Sequence, residues 1–201
     1  MLRVGLTGGL ATGKSFVGRA LAELGCRLLK ADDIGHAVLE PGGEAYSGAV
    51  REFGSEILDE DGSIVRRKLG AVVFGHPEKL KRLNEIVHPA VIAQEEQWMR
   101  EIESQDPASI VVVEAAILIE TGSYRRFQTL VLTVCGEEQQ IERAIKRDGL
   151  SREEVLDRLK RQMPLEEKRK FANYVIDTSG EKEQTLEQVS RLYGELRGLK
   201  P

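Results

Sequence analysis

Eight residues near the N-terminus, Gly8-Gly9-Leu10-Ala11-Thr12-Gly13-Lys14-Ser15, constrain this chain more than any other stretch. They fit the pattern of a glycine, four residues, then Gly-Lys-Ser, in which a backbone loop encloses phosphate. The flanks agree with it. Leu2-Arg3-Val4-Gly5-Leu6-Thr7 reads as a buried strand, and Val17, Ala20, Leu21 and Leu24 recur at helical spacing. Strand, glycine loop and helix N-terminus together make an anion site. Backbone N–H groups point at phosphate oxygens, and the helix dipole favours negative charge. Lys14 is expected to neutralise the β- and γ-phosphates and the Ser15 hydroxyl to ligate Mg²⁺. Gly8, Gly9, Ala11, Thr12, Gly13, Lys14, Ser15 and Phe16 are therefore candidate contacts for a nucleoside triphosphate. The loop does not say what receives the phosphate.

The chain has 201 residues, enough for one large domain or a core with inserted subdomains. A formal net charge of −4 argues against a nucleic-acid partner. The two cysteines, Cys26 and Cys135, sit in apolar strand-like runs and are expected as buried free thiols, which fits a reducing compartment. No apolar run approaches the ~20 residues of a membrane span. The N-terminus enters a strand at once, so no signal peptide is expected, and the expected setting is the cytoplasm.

Strand and helix signals alternate along the chain. Cys26–Leu29, Ser109–Val113, Thr129–Val134 and Tyr174–Ile176 are short apolar runs that suit strands buried on both faces of a parallel sheet. The class is α/β, with a mostly parallel five-stranded sheet flanked by helices. A last helix, about Glu181 to Leu196, carries Leu186, Val189, Tyr193 and Leu196 on one face and should pack back on the sheet. Two long stretches interrupt the alternation. Residues 32–106 read as a helical insertion with turns at Pro41-Gly42-Gly43, Asp59-Glu60-Asp61-Gly62 and His88-Pro89. Residues 137–172 form the second, with a capping box at Ser151-Arg152-Glu153-Glu154 starting a helix.

Asp32 and Asp33 directly follow the second strand. The carboxyl end of a parallel strand beside a phosphate loop is where α/β proteins place reactive groups. Asp32 can accept the proton of an attacking hydroxyl or hold Mg²⁺, or it can cap the following helix. Glu114 ends an apolar strand, where it can hold Mg²⁺ through water or merely mark the strand's end. Glu120, six residues on, can pair with a basic group. Residues 143–170 carry ten basic and six acidic residues, a net +4 that leaves −8 elsewhere. A basic helical flap in an acidic chain suits a lid over triphosphate; i,i+4 pairs such as Glu154–Arg158 and Asp157–Arg161 are the plainer explanation for part of it. Arg143 and Arg147, one turn apart, are the stronger functional candidates. His88-Pro89 reads first as a structural helix break, and the scattered His36, His76 and His88 do not make a metal site.

Taken together, these segments resemble the dephospho-CoA kinase family, over nearly the whole chain from Val4 to about Gly180. The family's Leu-Thr-Gly-Gly-Ile-Gly-Ser-Gly-Lys-Ser corresponds to Leu6 through Ser15 here. Its Asp-Ala-Asp segment is matched by Lys30-Ala31-Asp32, followed by Glu40-Pro41-Gly42. Arg66-Arg67-Lys68-Leu69, Val73-Phe74, Leu83-Asn84 and His88-Pro89 follow in order. The Asp-x-Pro-Leu-Leu-x-Glu segment is matched by Glu114 through Glu120, the lid pattern by Arg143, Arg147-Asp148, Arg158 and Gln162, and the Ala-Asp-x-Val-Ile-Asp close by Ala172 through Asp177. The phosphate loop alone is shared by many kinases; the ordered set is far more specific.

The resemblance implies a P-loop NTPase core with a helical substrate-binding insertion and a lid. It implies transfer of the ATP γ-phosphate to the ribose 3′-hydroxyl of dephospho-CoA, the last step of coenzyme A synthesis. Asp32 then activates the acceptor hydroxyl near Mg²⁺, Arg143 and Arg147 become lid contacts, and His88, Pro89 and Glu120 become acceptor contacts. A monomer is expected, with weak self-association left open, and neither membrane nor nucleic acid is an expected partner. The chain departs from the pattern at Lys30, His36, Ala11, Phe16, Glu114, Ala116 and Asn173. Ala11 in place of the loop's middle glycine is tolerable where φ is negative. A kinase for another nucleotide or nucleoside, and a nucleotide-dependent switch without acceptor turnover, are the rival readings.

Overall fold

In the computed structural model, which describes residues 1–73 and 75–199, the apolar runs pair into one sheet. Phe74, part of the family pattern above, lies outside the described residues. In chain order the elements are β1 (Leu2–Gly8), α1 (Lys14–Glu23), β2 (Arg27–Lys30), α2 (Ala31–Ala37), α3 (Tyr46–Phe53), α4 (Arg66–Val73), α5 (Pro77–Gln105), β3 (Ile110–Glu114), β4 (Thr129–Val134), α6 (Glu137–Asp148), α7 (Arg152–Lys160), α8 (Leu165–Arg169), β5 (Tyr174–Asp177) and α9 (Lys182–Gly198). Short 3₁₀ turns occur at Ser55–Ile57 and Ser123–Arg126.

The strand order among the described residues is β2-β3-β1-β4-β5, and every pairing is parallel rather than mostly so. Leu6 of β1 lies opposite Glu114 of β3, and Gly8 opposite Thr133 of β4. The chain leaves β1 toward the β2 edge and leaves its neighbour β3 in the opposite direction, toward β4, so the loop leaving β1 opens at a switch point of the sheet, where open α/β sheets place ligands. β3 and β4 are buried throughout and β1 nearly so, as their Val- and Leu-rich runs require. The edge strands β2 and β5 are only partly buried, since each has one neighbour. Several strand ends shift by one residue from the sequence pattern: β1 extends to Gly8, β2 runs from Arg27 to Lys30, β3 from Ile110 to Glu114, and β5 extends to Asp177. Both cysteines are buried free thiols.

Two compact units divide the chain: Met1–Lys30 with the chain from Ile102 onward, and Ala31–Glu101. In the first, α1 packs against α9 over one cluster that includes Val4, Leu6, Val17, Leu21, Val112, Val131, Val189 and Leu196. Two stripe residues expected from periodicity point outward. Leu24 follows the end of α1 and Leu186 is exposed on α9; the buried α9 stripe is Thr185, Val189, Leu192 and Leu196. Spacing of four, three and four fixes a face, but Leu186 lies a full residue step, about 100°, from Thr185.

The second unit is helical, with a core of Ala49, Phe53, Ile57, Leu69 and Val73 onto which Leu39, Leu58, Ile64, Leu80, Leu83 and Ile86 pack. The turn around Gly62 is closed by a Leu58–Ile64 bridge and by the Tyr46 hydroxyl, which donates to the Gly62 carbonyl at 2.6 Å. His88-Pro89 is not a turn: both lie inside the 29-residue helix α5. Proline there forgoes one helical hydrogen bond at a cost of about 3 kcal/mol. Long helical runs on both sides nucleate independently of it, so the helix continues.

Candidate active site

The loop Gly9–Gly13 joins the end of β1 to the start of α1. Gly13 caps α1 with φ +84°, a conformation that favours glycine. Gly8 is required for space, because a Cβ there would come within 2.3 Å of the Thr133 hydroxyl. Ala11 also has positive φ, +54°. The condition under which alanine fits without strain, a negative φ, is therefore not met, and Ala11 holds a left-handed conformation that costs roughly 1–2 kcal/mol. The loop is braced from below. The Thr12 and Thr133 hydroxyls are 2.7 Å apart, and the Thr178 hydroxyl donates to the Thr12 carbonyl at 2.9 Å. Gly9 is buried, and Phe16 is half-buried with its N–H donating to the Gly13 carbonyl at 3.0 Å.

Lys14 Nζ donates to the Gly9 carbonyl at 2.7 Å and lies 3.4 Å from that of Gly8, so the ammonium arches over its own loop. The Ser15 hydroxyl donates to Glu114 Oε1 at 2.5 Å. Glu114 is only 7% exposed, and its Oε2 is a buried oxygen without a hydrogen-bond partner. An orphaned carboxylate oxygen beside a serine hydroxyl at the mouth of a phosphate loop is a hard-oxygen donor set, and it fits a Mg²⁺ ion held partly through water. The position of Glu114 at the carboxyl end of an apolar strand is the sequence signal that points to it.

Arg143 reaches the loop indirectly. Its guanidinium donates to the Thr178 hydroxyl at 3.1 Å and to the Thr178 carbonyl at 2.7 Å, and Thr178 in turn holds Thr12. Arg147 turns the other way and grips Asp148 with two bonds, at 2.7 and 2.9 Å, which holds the Asp148 carboxyl below its ordinary value. The structure thus separates the two arginines that the sequence groups. The charges of the flap also pair at other spacings. Arg158 lies 3.9 Å from Asp148, Asp157 is 3.4 Å from Lys160, and Glu154 closes the capping box by accepting from the Ser151 N–H at 2.8 Å.

Glu120 finds its basic partner in Lys168, at 2.8 Å, and also accepts from the Met163 N–H at 3.1 Å. In the sequence Lys168 is one charge in a run of many, and nothing marks it out. In the structure its side chain is fully buried, with Nζ 2.9 Å from the Ala116 carbonyl and 3.4 Å from that of Gly8. Asn173 ties β4 to the start of β5. Its Oδ1 accepts from the Leu130 N–H at 2.8 Å, which an aspartate oxygen would do equally.

In the helical unit, Asp32 is exposed within the first turn of α2, two residues past the end of β2. It does not cap the helix, because β2 passes into α2 without a loop and the aspartate falls inside the first turn. His36 is exposed on the same helix. His88 and Pro89 line a cleft of about 590 Å³ along α5, with Leu80, Lys81, Asn84 and Glu85 at helical spacing. Burial pushes the His88 imidazole below its ordinary value, favouring the neutral ring.

The whole pattern has known counterparts. A family profile for dephospho-CoA kinases matches residues 2–184. A dephospho-CoA kinase of Aquifex aeolicus is 43% identical, over 98% of both chains. The chain belongs to the dephospho-CoA kinase family. Another member, from Carboxydothermus hydrogenoformans, is 44% identical over 92% of this chain and 90% of its own. A solved structure from Thermus thermophilus superposes with a TM-score of 0.82 at 34% identity, covering all of this chain and 98% of that one. The departures at Lys30, Ala11 and Glu114 are therefore variations within the dephospho-CoA kinase family.

Proposed function

We propose that this chain transfers the γ-phosphate of ATP to the ribose 3′-hydroxyl of dephospho-CoA, giving coenzyme A and ADP. Membership of the dephospho-CoA kinase family supports the acceptor. The observation that carries the chemistry is the Ser15–Glu114 bond at the mouth of an intact Gly13-Lys14-Ser15 loop. The loop amides and the α1 N-terminus bind the phosphates, and Lys14 swings from its own carbonyls onto the β- and γ-phosphate oxygens. Ser15 and Glu114 would hold Mg²⁺, which would supply charge neutralisation at the phosphates. Asp32 accepts the proton of the 3′-hydroxyl as its oxygen bonds to the γ-phosphorus and the bond to the ADP oxygen breaks. Asp32 is also the first carboxylate after the end of β2, which supports a role as a further acid near the metal.

We assign residues 32–106 to acceptor binding, with His88, Pro89 and Glu120 as contacts, and 137–172 to a lid bearing Arg143 and Arg147. The cleft along α5 supports the first. The basic excess of the flap supports the second. The setting we propose is the cytoplasm, as a monomer acting on free substrates without nucleic acid or membrane. Among the described residues, no helix is long and apolar enough to cross a membrane.

The test is ADP release from Mg-ATP with and without dephospho-CoA, with the acceptor product weighed by mass spectrometry. ADP that depends on the acceptor, with a product of the mass of coenzyme A, is the expected result. Bound ATP without acceptor turnover would favour a kinase for another acceptor or a switch.

A further inference from the structure

The middle of the phosphate loop is held from outside itself. The Leu10 N–H donates to Gln162 Oε1 at 2.9 Å, and the Leu10 carbonyl accepts from Gln140 Nε2 at 2.7 Å. One glutamine comes from α6 and the other from the segment between α7 and α8, so two separate elements grip the backbone of one residue from its two sides. Gln140 is 4% exposed and closely packed: a Cβ on Gly9 would fall 2.6 Å from its Nε2. The side chains repeat the contact. Leu10 and Ala11 pack on the apolar cluster of Ile141, Ala144 and Val155, which α6 and α7 form. The next residue is Ala11, with its φ of +54°. A non-glycine residue keeps such a conformation only where the surroundings over-determine it.

We infer that Gln140 and Gln162 are positioning residues that hold the strained Leu10–Ala11 turn in the form that accepts triphosphate. Neither side chain needs to touch the nucleotide; both act through Leu10. Without Gln162, the Ala11 backbone relaxes toward negative φ and the loop is competent only part of the time. Apparent nucleotide affinity then falls by the competent fraction. A glycine at position 11 carries no such bias, so the loop would need the glutamine less. In this chain the glutamine clamp adjoins the alanine that stands where the family pattern has glycine, and the alanine is what makes the loop depend on it. The clamp supports the phosphoryl-transfer reading above and rests on that reading for its kinetic consequence, but not for its binding consequence.

The experiment is a double-mutant cycle between Gln162→Met, which keeps length and removes the acceptor, and Ala11→Gly. The readout is the Kd for Mg-ADP by calorimetry, which needs no acceptor substrate, together with kcat and KM for ATP. Gln162→Met is expected to raise the Kd about tenfold, or about 1.4 kcal/mol, when Ala11 is present. In combination with Ala11→Gly the same change should raise it by no more than about threefold. Equal factors in both backgrounds, or no weakening, would overturn the inference. Melting temperatures of all four proteins separate this from a stability effect, since loss of packing would lower them in parallel whichever residue stands at 11. Gln140→Met repeats the cycle from the other side of Leu10. If ADP binding follows this pattern while dephospho-CoA is not phosphorylated, the acceptor assignment fails and the clamp stands.

Discussion

Lys168 Nζ lies 2.8 Å from Glu120 Oε1, with the lysine side chain wholly buried and the glutamate 21% exposed. The pair joins α8 to the segment that follows β3. Removing one member of a buried pair leaves the other charge uncompensated, at a cost of about 3–5 kcal/mol. Lys168→Met should therefore lower unfolding free energy by about 3 kcal/mol, near the small end because Glu120 reaches solvent. Combining it with Glu120→Leu should recover part of that loss, and a urea-unfolding cycle should show a coupling above about 0.5 kcal/mol. Strictly additive single effects would mean that the pair contributes nothing as a pair.

That lysine also shows where the sequence stops being readable. The loop from Gly8 to Ser15 and its flanks are legible because strand, glycines and helix start are local signals, and Thr129–Val134 is a strand end to end. Lys168 depends on Gly8, 160 positions away, and nothing in its own neighbourhood distinguishes it from Lys170 or Arg169. His88-Pro89 misleads for the opposite reason. Proline is a strong local stop, and only the helical runs on both sides of it in α5 outweigh it. The positive φ of Ala11 is hidden because an alanine gives no sign of the backbone it is forced into. Of the candidate site, the residue types along the loop and β3 can be read, but the Ser15–Glu114 bond and the glutamines at Leu10 join residues far apart in the chain.

Glu114 carries the next expectation. Its Oε1 takes the Ser15 hydroxyl while Oε2 is buried without a partner. Glu114→Gln keeps the shape and an acceptor for Ser15 but removes the charge. Groups that orient or complete a metal site typically account for about 10–100-fold in metal affinity. The Mg²⁺ concentration for half-maximal activity at fixed ATP should rise by about that factor, with little change in melting temperature. A Mg²⁺ titration that overlays the wild-type curve would remove Glu114 from the site.

His88 predicts a pH dependence with a definite sign. Burial lowers its pKa from the ordinary 6.5 in the folded chain. The unfolded chain therefore binds this proton first as pH falls, and unfolding free energy rises with pH across the interval. The contribution is complete above the unfolded value and is lost as pH drops through 6.5 toward the folded pKa, then levels off. Urea midpoints compared between wild type and His88→Gln should diverge over that window, with wild type losing more on acidification. Parallel curves would show that the ring is as accessible to protons folded as unfolded.

Asp32 separates chemistry from binding. It is exposed in the first turn of α2 and makes no cap, so its replacement should leave the helix nearly as stable as before. As the proposed proton acceptor for the 3′-hydroxyl it should matter chiefly to kcat. Positioned general bases contribute about 10²–10⁴-fold, and Asp32→Asn should lose turnover within that range. Mg-ATP affinity, set by the loop and Lys14, should change by about threefold or less, because the carboxyl faces the acceptor in this scheme. Single-turnover rates with saturating dephospho-CoA, beside calorimetric ATP binding, make the comparison. A variant with near-normal turnover and weakened Mg-ATP would move Asp32 from the acceptor to the metal; normal values of both would leave the carboxylate as helix-start charge that merely complements the dipole.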